Sequence, residues 1–157
     1  MTLRLTINGR ESLAPDDPMT PLVDLLRERF HLTGAKPVCR EGFCGACLVM
    51  IDGEPTLSCL TPGGLAEGRD IRTIEGLSPA GRLNPVQNAL EAHDAVQCGM
   101  CFPGMVMTLT HALRRNAAPS REELRHALTG NTCRCTGYER ILDAALSAAG
   151  ALQGGEP

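Results

Sequence analysis

The sequence predicts an α+β fold, in which a small mixed domain precedes a helical domain. Apolar residues alternate at every second position near the N-terminus, whereas from about residue 84 they recur at helical spacing. A chain of 157 residues with 43% hydrophobic content can also bury two small cores. We therefore expect a first domain over residues 1–76, a connector over 77–83, a second domain over 84–150 and a polar tail over 151–157.

The first domain is expected to begin with a hairpin. Thr2–Ile7 places Leu and Ile on one face, and Asn8-Gly9 is typical of a tight turn between two strands. Glu11–Ala14 can then return beside the first strand. Three further strands are expected from short apolar runs bounded by turn residues: Leu48–Ile51, Thr56–Cys59 and Asp70–Ile74.

Capping signals predict where the helices begin. Thr20 followed by Pro21 predicts a capped helix of about ten residues in the first domain. The second domain has four such signals, each before an apolar stripe: Asn84-Pro85, Pro103, Ser120 with Glu123, and Thr136 with Glu139. Because each of the four helices is short and apolar on one side only, we expect them to pack as one bundle.

Charge and hydropathy exclude several classes of partner. The net charge of -3 gives no long-range attraction to nucleic acid or to an anionic membrane. No run approaches 18 consecutive apolar residues, and the first 20 residues lack the apolar stretch of a secretory signal. We expect a cytoplasmic protein with no nucleic-acid partner and no membrane insertion.

Eight cysteines are the strongest feature of the sequence. Four disulfides would be the default interpretation in a short secreted chain. Without an export signal, and with several pairs of cysteines only one or two residues apart, shared metal ligation is favoured over disulfides.

The first thiol set has the spacing of a plant-type [2Fe-2S] loop. Its members are Cys39, Cys44, Cys47 and Cys59. Four residues separate the first two and two separate the next pair, while the fourth thiol arrives from the expected returning strand. Gly42 and Gly45 would let backbone N–H groups approach the cluster sulfurs with no Cβ in the way. Arg40 is expected to be solvated or to offset part of the cluster charge.

The second thiol set consists of two pairs on separate segments. Its members are Cys98, Cys101, Cys133 and Cys135. Four sulfurs brought together by a helical bundle suit either structural zinc or a second [2Fe-2S] cluster. Spacing alone leaves both alternatives open.

Three stretches resemble the iron-sulfur subunit of the molybdenum hydroxylases, the xanthine dehydrogenase and aldehyde oxidoreductase family. They are CREGFCGACLVMIDGEPTLSCL, NPVQNALEAHDAVQCGMCFPGMVM and LTGNTCRCTGYERILDAAL. The resemblance extends from the Asn8-Gly9 turn to about Gly150. It implies a β-grasp ferredoxin-like domain followed by an all-α four-helix domain, each with one [2Fe-2S] cluster, and so favours a cluster over zinc in the second thiol set.

The resemblance also implies roles for single residues. All eight cysteines would be iron ligands, Gln97 would hydrogen-bond a pterin, and Cys135 would lie near the pterin amino group. Arg134, between two ligands, has no assigned role. The chain departs from the usual family pattern at Pro37-Val38, where relatives commonly have glycine, and at Phe102, where a small hydroxyl residue is usual.

The implied function is electron transfer. The chain would pass single electrons from a molybdenum pyranopterin in a large partner subunit through both clusters to FAD or another acceptor, within a hetero-oligomer. A medium FAD subunit and a dimer of heterotrimers are further options. The sequence shows no nucleophile or phosphate-binding motif, so no catalytic residue is expected in this chain. The alternatives are a free-standing two-cluster carrier and a zinc-stabilised interaction module.

Overall fold

A computed structural model describes residues 2–15, 17–78, 81–149 and 151–152. Part of the expected connector, residues 79–80, and most of the expected tail, residues 153–157, lie outside the described residues, as does Gly150. The strands are β1 Thr2–Ile7, β2 Arg10–Pro15, β3 Leu48–Ile51, β4 Glu54–Leu57 and β5 Asp70–Arg72. The α-helices are α1 Leu22–Asp24, α2 Pro85–Ala92, α3 Phe102–Arg115, α4 Arg121–Ala127 and α5 Glu139–Ala148. The α+β class is confirmed.

The strands form one mixed sheet in the order β2-β1-β5-β3-β4. β1 pairs antiparallel with β2 and parallel with β5, while β3 pairs antiparallel with both β4 and β5. Asn8 and Gly9 have φ values of 51° and 77°. Such left-handed conformations at both central residues are what a tight turn between right-twisted strands requires, so the predicted hairpin is confirmed.

The predicted helix after Thr20 is shorter and begins differently. Pro21, not Thr20, precedes the first helical residue, with φ -56° and ψ 137° and no side-chain cap. Pro21 is held extended because it forms a bridge with Pro62, and the Leu22 N–H donates to Thr61 O at 2.8 Å. After α1 the chain continues as a π-helical turn over Leu25–Arg29.

Two predicted strands end early. β4 stops at Leu57, so the prediction that Cys59 lies on a strand is wrong. Ser58 leaves the ladder and donates from Oγ to Cys47 O at 2.6 Å, which fixes the turn that carries Cys59. β5 stops at Arg72, and residues Ile74–Leu77 form a 3₁₀ turn.

Two of the predicted caps in the helical half are confirmed and one is wrong. Reciprocal capping boxes join Asn84 to Gln87 and Ser120 to Glu123 at the starts of α2 and α4. Thr136 does not cap α5. The residue before α5 is instead Tyr138, in the left-handed region with φ 69°.

β3 joins the two hydrophobic cores. All four of its residues are buried, and its alternate side chains enter different cores. Val49 and Ile51 pack with the side chains under α1, whereas Leu48 and Met50 pack with the helical core. A strand buried on both faces explains why this stretch reads as a continuous apolar run.

The two halves also meet through backbone atoms. A Cβ at Gly104, near the start of α3, would overlap the Gly45 carbonyl oxygen and crowd Asn131 Nδ2. Beside this contact, the Thr132 N–H donates to Cys44 O at 2.9 Å. The loop that carries the first thiol set therefore contacts the loop that carries the second directly. No helix among the described ranges is long and apolar enough to cross a membrane.

We predict that Gly104→Ala destabilises the chain because the new methyl group would overlap the Gly45 carbonyl oxygen and push α3 away from the first cysteine loop. Overpacking of this kind costs about 1–3 kcal/mol, which outweighs the gain in helix propensity from alanine. Denaturant unfolding of the full chain measures the change. Gly130→Ala is the matched control, because a Cβ there meets nothing within 4 Å. An equal loss of stability in both variants would contradict a specific contact at Gly104.

Candidate iron-sulfur sites

The first thiol set surrounds the start of β3. Cys39 and Cys44 lie in the loop that precedes this strand, and Cys47 lies immediately before it. Cys59 reaches the same place from the turn after β4. Cys47 and Cys59 are 1% and 8% exposed, whereas Cys39 and Cys44 are half-buried. One side of the set is therefore closed by the sheet and the other is nearer solvent.

These four thiols are arranged as two contacting pairs. Cys39 Sγ accepts hydrogen bonds from the N–H groups of Cys44 at 3.4 Å and Glu41 at 3.5 Å, and it contacts the Cys44 thiol. Cys47 contacts the Cys59 thiol. Two pairs match what a [2Fe-2S] cluster requires, because each of its irons takes two of the four thiolates.

The two pairs differ in how readily they ionise. The N–H of Glu41, followed by that of Cys44, lowers the pKa of Cys39 to about 6. Burial raises the pKa of Cys47 to about 11. Iron binds the thiolate form of cysteine. Cys39 is therefore largely ionised at neutral pH before iron binds, whereas iron must displace the proton of Cys47.

Gly42 and Gly45 both have positive φ, at 72° and 71°. A Cβ at Gly42 would overlap the Leu60 side chain, and one at Gly45 would overlap the Gly130 carbonyl oxygen. In the described structure, these two glycines approach other protein atoms closely. Their predicted approach to cluster sulfurs stays a prediction.

The Arg40 side chain is 52% exposed, and the charge of Cys59 contributes, after that of Asp24, to raising its pKa. Its guanidinium makes a two-point ion pair with Asp24, with both N–O distances at 2.8 Å. Asp24 raises the pKa of Arg40 by hydrogen bonding and by its charge. The pair holds the first cysteine loop against α1, a role that sequence analysis missed because Asp24 lies 16 residues upstream.

The second thiol set lies at helix ends. Cys98 and Cys101 precede α3, and Cys133 and Cys135 precede α5. All four line one cavity. Here too the thiols form two pairs: Cys135 Sγ lies 3.6 Å from Cys98 Sγ, and Cys101 contacts Cys133. The first pair is exposed, whereas Cys133 is buried and Cys101 is half-buried.

The pKa values within these pairs also diverge. Burial raises the pKa of Cys101 to about 12. Burial also acts to raise the pKa of Cys133, but hydrogen bonds, led by the one from the Thr136 side chain, lower it overall. In the exposed pair, the Met100 N–H lowers the pKa of Cys98, and the Cys98 thiol raises that of Cys135.

Tyr138 organises the second cysteine loop, which sequence analysis did not anticipate. Its phenol oxygen accepts from the Cys133 N–H at 2.9 Å and donates to Asn131 O at 3.0 Å. Asn131 is itself buried and accepts through Oδ1 from Thr108 Oγ1 at 2.8 Å. The available signal was the single tyrosine of the chain, placed three residues after a cysteine.

One face of the second thiol set is open to solvent. Gln97 is exposed and lines the cavity beside Cys98, and Arg134 is also exposed. Val96 and Met100 are 41% and 52% exposed on this face. Leu83, 44% exposed, lines a neighbouring cavity together with Val96, whereas the apolar segment after Met100 is mostly buried in α3.

Among the described residues, no three Cys, His, Asp or Glu side chains are close enough together to hold a single metal ion. The donors are instead two contacting pairs of thiols in each set, and two thiolates is the number that each iron of a [2Fe-2S] cluster takes from the protein. Thiolate sulfur is also the donor that iron-sulfur clusters take.

Two family models cover the chain between them. A 2Fe-2S iron-sulfur cluster binding domain matches residues 5–71, and a [2Fe-2S] binding domain matches residues 73–146. Each range contains one of the two thiol sets. The matches support two [2Fe-2S] clusters.

Whole-chain comparisons agree with these matches. The nicotine 6-hydroxylase small subunit of Paenarthrobacter nicotinovorans is 45% identical over 93% of this chain and 88% of its own. The xanthine dehydrogenase iron-sulfur-binding subunit of Escherichia coli O157:H7 is 44% identical over 93% and 92%. A chain of quinoline 2-oxidoreductase from Pseudomonas putida 86 superposes with a TM-score of 0.96, at 46% identity, over 100% of this chain and 98% of its own.

The chain belongs to the family of iron-sulfur small subunits of molybdenum hydroxylases.

Membership in this family favours a cluster over zinc in the second thiol set. The two departures from the usual family pattern each lie next to a thiol, Val38 before Cys39 and Phe102 after Cys101. Val38 is 53% exposed beside Cys39, and Phe102 is the first residue of α3 with its side chain against the helical core.

We predict that iodoacetamide alkylates Cys39 of the metal-free small subunit before Cys47 at about pH 7, because alkylation requires the thiolate. The Cys39 rate should rise as pH passes its pKa of about 6 and then level off. Peptide mass spectrometry after timed quenching measures both rates. Cys101, with a pKa raised to about 12, is the slow control. Equal rates at Cys39 and Cys47 would contradict the hydrogen bonding described here.

Proposed function

We propose that the chain is the electron-transfer subunit of a multisubunit molybdenum hydroxylase. Electrons would pass singly from a molybdenum pyranopterin in a large partner subunit through the second thiol set's cluster, then the first's, to FAD or another acceptor. The observation that carries this proposal is the direct contact between the two cysteine loops, through the Thr132 N–H to Cys44 O bond of 2.9 Å. Cys44 belongs to one set, and Thr132 immediately precedes Cys133 of the other.

The protein's own contribution is placement. A bound [2Fe-2S] cluster supplies one-electron redox chemistry, and the surrounding protein fixes its position, burial and hydrogen bonding. Gly45 lets the first cysteine loop approach the Gly130 carbonyl oxygen, and Gly104 lets α3 approach Gly45. β3 contributes side chains to both hydrophobic cores. We infer that this rigid spacing keeps the two clusters close enough for transfer.

The exposed face of the second thiol set supports the proposed direction. Cys98, Cys135 and Gln97 are exposed there, so a partner can reach the thiols and the amide directly. We propose that Gln97 hydrogen-bonds the pterin and that Cys135 lies near its amino group. The relatives are named as small subunits, which supports a hetero-oligomer with a large subunit. A medium FAD subunit and a dimer of heterotrimers stay options within this proposal.

The domain limits are proposed as 1–76 and 84–150, joined by 77–83 and followed by 151–157. Two hydrophobic cores support this division, although β3 contributes to both. The strand order β2-β1-β5-β3-β4 supports a β-grasp first domain, and helices α2 to α5 support the four-helix second domain. The cytoplasmic location stays a prediction from the sequence.

The free-standing carrier stays the alternative, since Met105, Val106 and Met107 of the apolar segment are buried within the chain itself. Purification of the native complex through a tag on this chain separates the two functions. We predict about four irons per chain, two distinct rhombic EPR signals on reduction, and a molybdenum-bearing companion. Two signals without a companion would favour the carrier. A colourless protein with zinc would contradict both.

Cys59→Ser and Cys133→Ser are predicted to remove different clusters. Each substitution takes one ligand from one set, so each variant should hold about two irons and keep one of the two EPR signals. Iron analysis and EPR of the purified complexes measure this. Ser147→Ala, on exposed α5 surface, is the control and should keep both signals. Loss of the same signal from both cysteine variants would contradict the assignment of ligands.

A further inference from the structure

Thr136 makes a side-chain contact that its position in the sequence does not suggest. With Glu139 three residues later, it has the pattern of a helix cap, yet α5 begins after Tyr138 with no side-chain cap. The Thr136 Oγ1 lies instead 3.1 Å from Cys133 Sγ. The Thr136 hydroxyl therefore contacts the Cys133 sulfur and does not cap α5.

The direction of this hydrogen bond follows from its surroundings. Thr136 Oγ1 accepts from the Tyr138 N–H at 3.2 Å, so its own proton is free to point elsewhere. A cluster-bound cysteine sulfur has no proton to donate. The hydroxyl must therefore be the donor and Cys133 Sγ the acceptor when iron is bound.

The bond is shielded and rigid. Cys133 is 8% exposed and Thr136 is half-buried, so water competes little for the sulfur. The Tyr138 phenol oxygen also accepts a hydrogen bond from the Cys133 N–H at 2.9 Å, which fixes the backbone that carries the sulfur. Tyr138 therefore hydrogen-bonds both residues, Thr136 through its N–H and Cys133 through its phenol, which fixes the distance between the hydroxyl and the sulfur.

We propose that Thr136 is a positioning residue that raises the reduction potential of the cluster held by the second thiol set, by donating a hydrogen bond from Oγ1 to Cys133 Sγ. Reduction adds one electron and one negative charge, and part of that charge resides on the ligand sulfurs. A donor aimed at one of these sulfurs stabilises the reduced state more than the oxidised state. The inference rests on the proposed function, because it requires a redox cluster in this site.

Thr136→Val tests the proposal, because valine keeps the branched shape and removes the hydroxyl. We expect the reduction equilibrium of one cluster to shift about tenfold toward the oxidised state, which for a one-electron couple is about 59 mV. Redox titration of the full chain in its native complex, followed by EPR, measures both potentials. The other cluster should not shift.

Two further variants separate the hydroxyl from the shape of the loop. Thr136→Ser keeps the hydroxyl and should restore the potential. Ser147→Ala removes a hydroxyl from an exposed position on α5 and should leave both potentials unchanged. An exchangeable-proton coupling to the reduced cluster, seen by ENDOR after transfer to D₂O, should be lost only in Thr136→Val.

The outcomes separate this inference from the function on which it depends. If the unsubstituted complex shows fewer than two iron-sulfur signals, the proposed function fails. If both signals are present and Thr136→Val leaves both potentials unchanged, the role of Thr136 is overturned. Loss of the cluster from both Thr136→Val and Thr136→Ala would also overturn it, because Thr136 would then serve to retain the cluster.

Discussion

The fold depends on one constraint, the direct backbone contact between two cysteine loops that lie far apart in the sequence. Thr132 N–H donates to Cys44 O, and Gly45 packs against Gly104 with no room for a side chain on either. Each thiol set is local to its own half of the chain, and neither half alone would place the two sets together. β3 reinforces this contact, because its alternate side chains enter both cores and prevent the halves from moving apart.

Both sites place backbone and hydroxyl donors on their thiols, and two thiols show this most clearly. In the first, Cys39 Sγ accepts from backbone N–H groups of Glu41 and Cys44, which follow from the path of the loop itself. In the second, Cys133 Sγ accepts from the Thr136 hydroxyl. Backbone donors are fixed by the fold, whereas a hydroxyl can be gained or lost by one substitution.

Local chemistry was predictable from the sequence, and long-range contacts were not. The Asn8-Gly9 turn and the cap of α2 by Asn84 depend only on neighbouring residues, and both were predicted. Pro21 fails as a first helical residue because Pro62 pairs with it from 41 residues away. Cys59 leaves its strand because Ser58 reaches across to Cys47.

The thiol sets illustrate the same division. Their membership was predicted from spacing and resemblance, and the structure brings the members of each set together as two pairs. No spacing rule, however, could show that Arg40 forms an ion pair with Asp24, or that the Thr136 hydroxyl contacts the Cys133 sulfur and does not cap a helix. These contacts depend on where the loops lie in three dimensions.

The eight thiols form two iron-binding sites, each made of two contacting pairs. Iron-edge anomalous diffraction from crystals of the cluster-loaded complex tests it most directly. We expect four iron peaks in this chain, in two couples. In the first couple, Cys39 and Cys44 should bind one iron and Cys47 and Cys59 the other; in the second, Cys98 with Cys135 and Cys101 with Cys133 should do so. A single couple of peaks, or density that joins the sulfurs to one another, would contradict it.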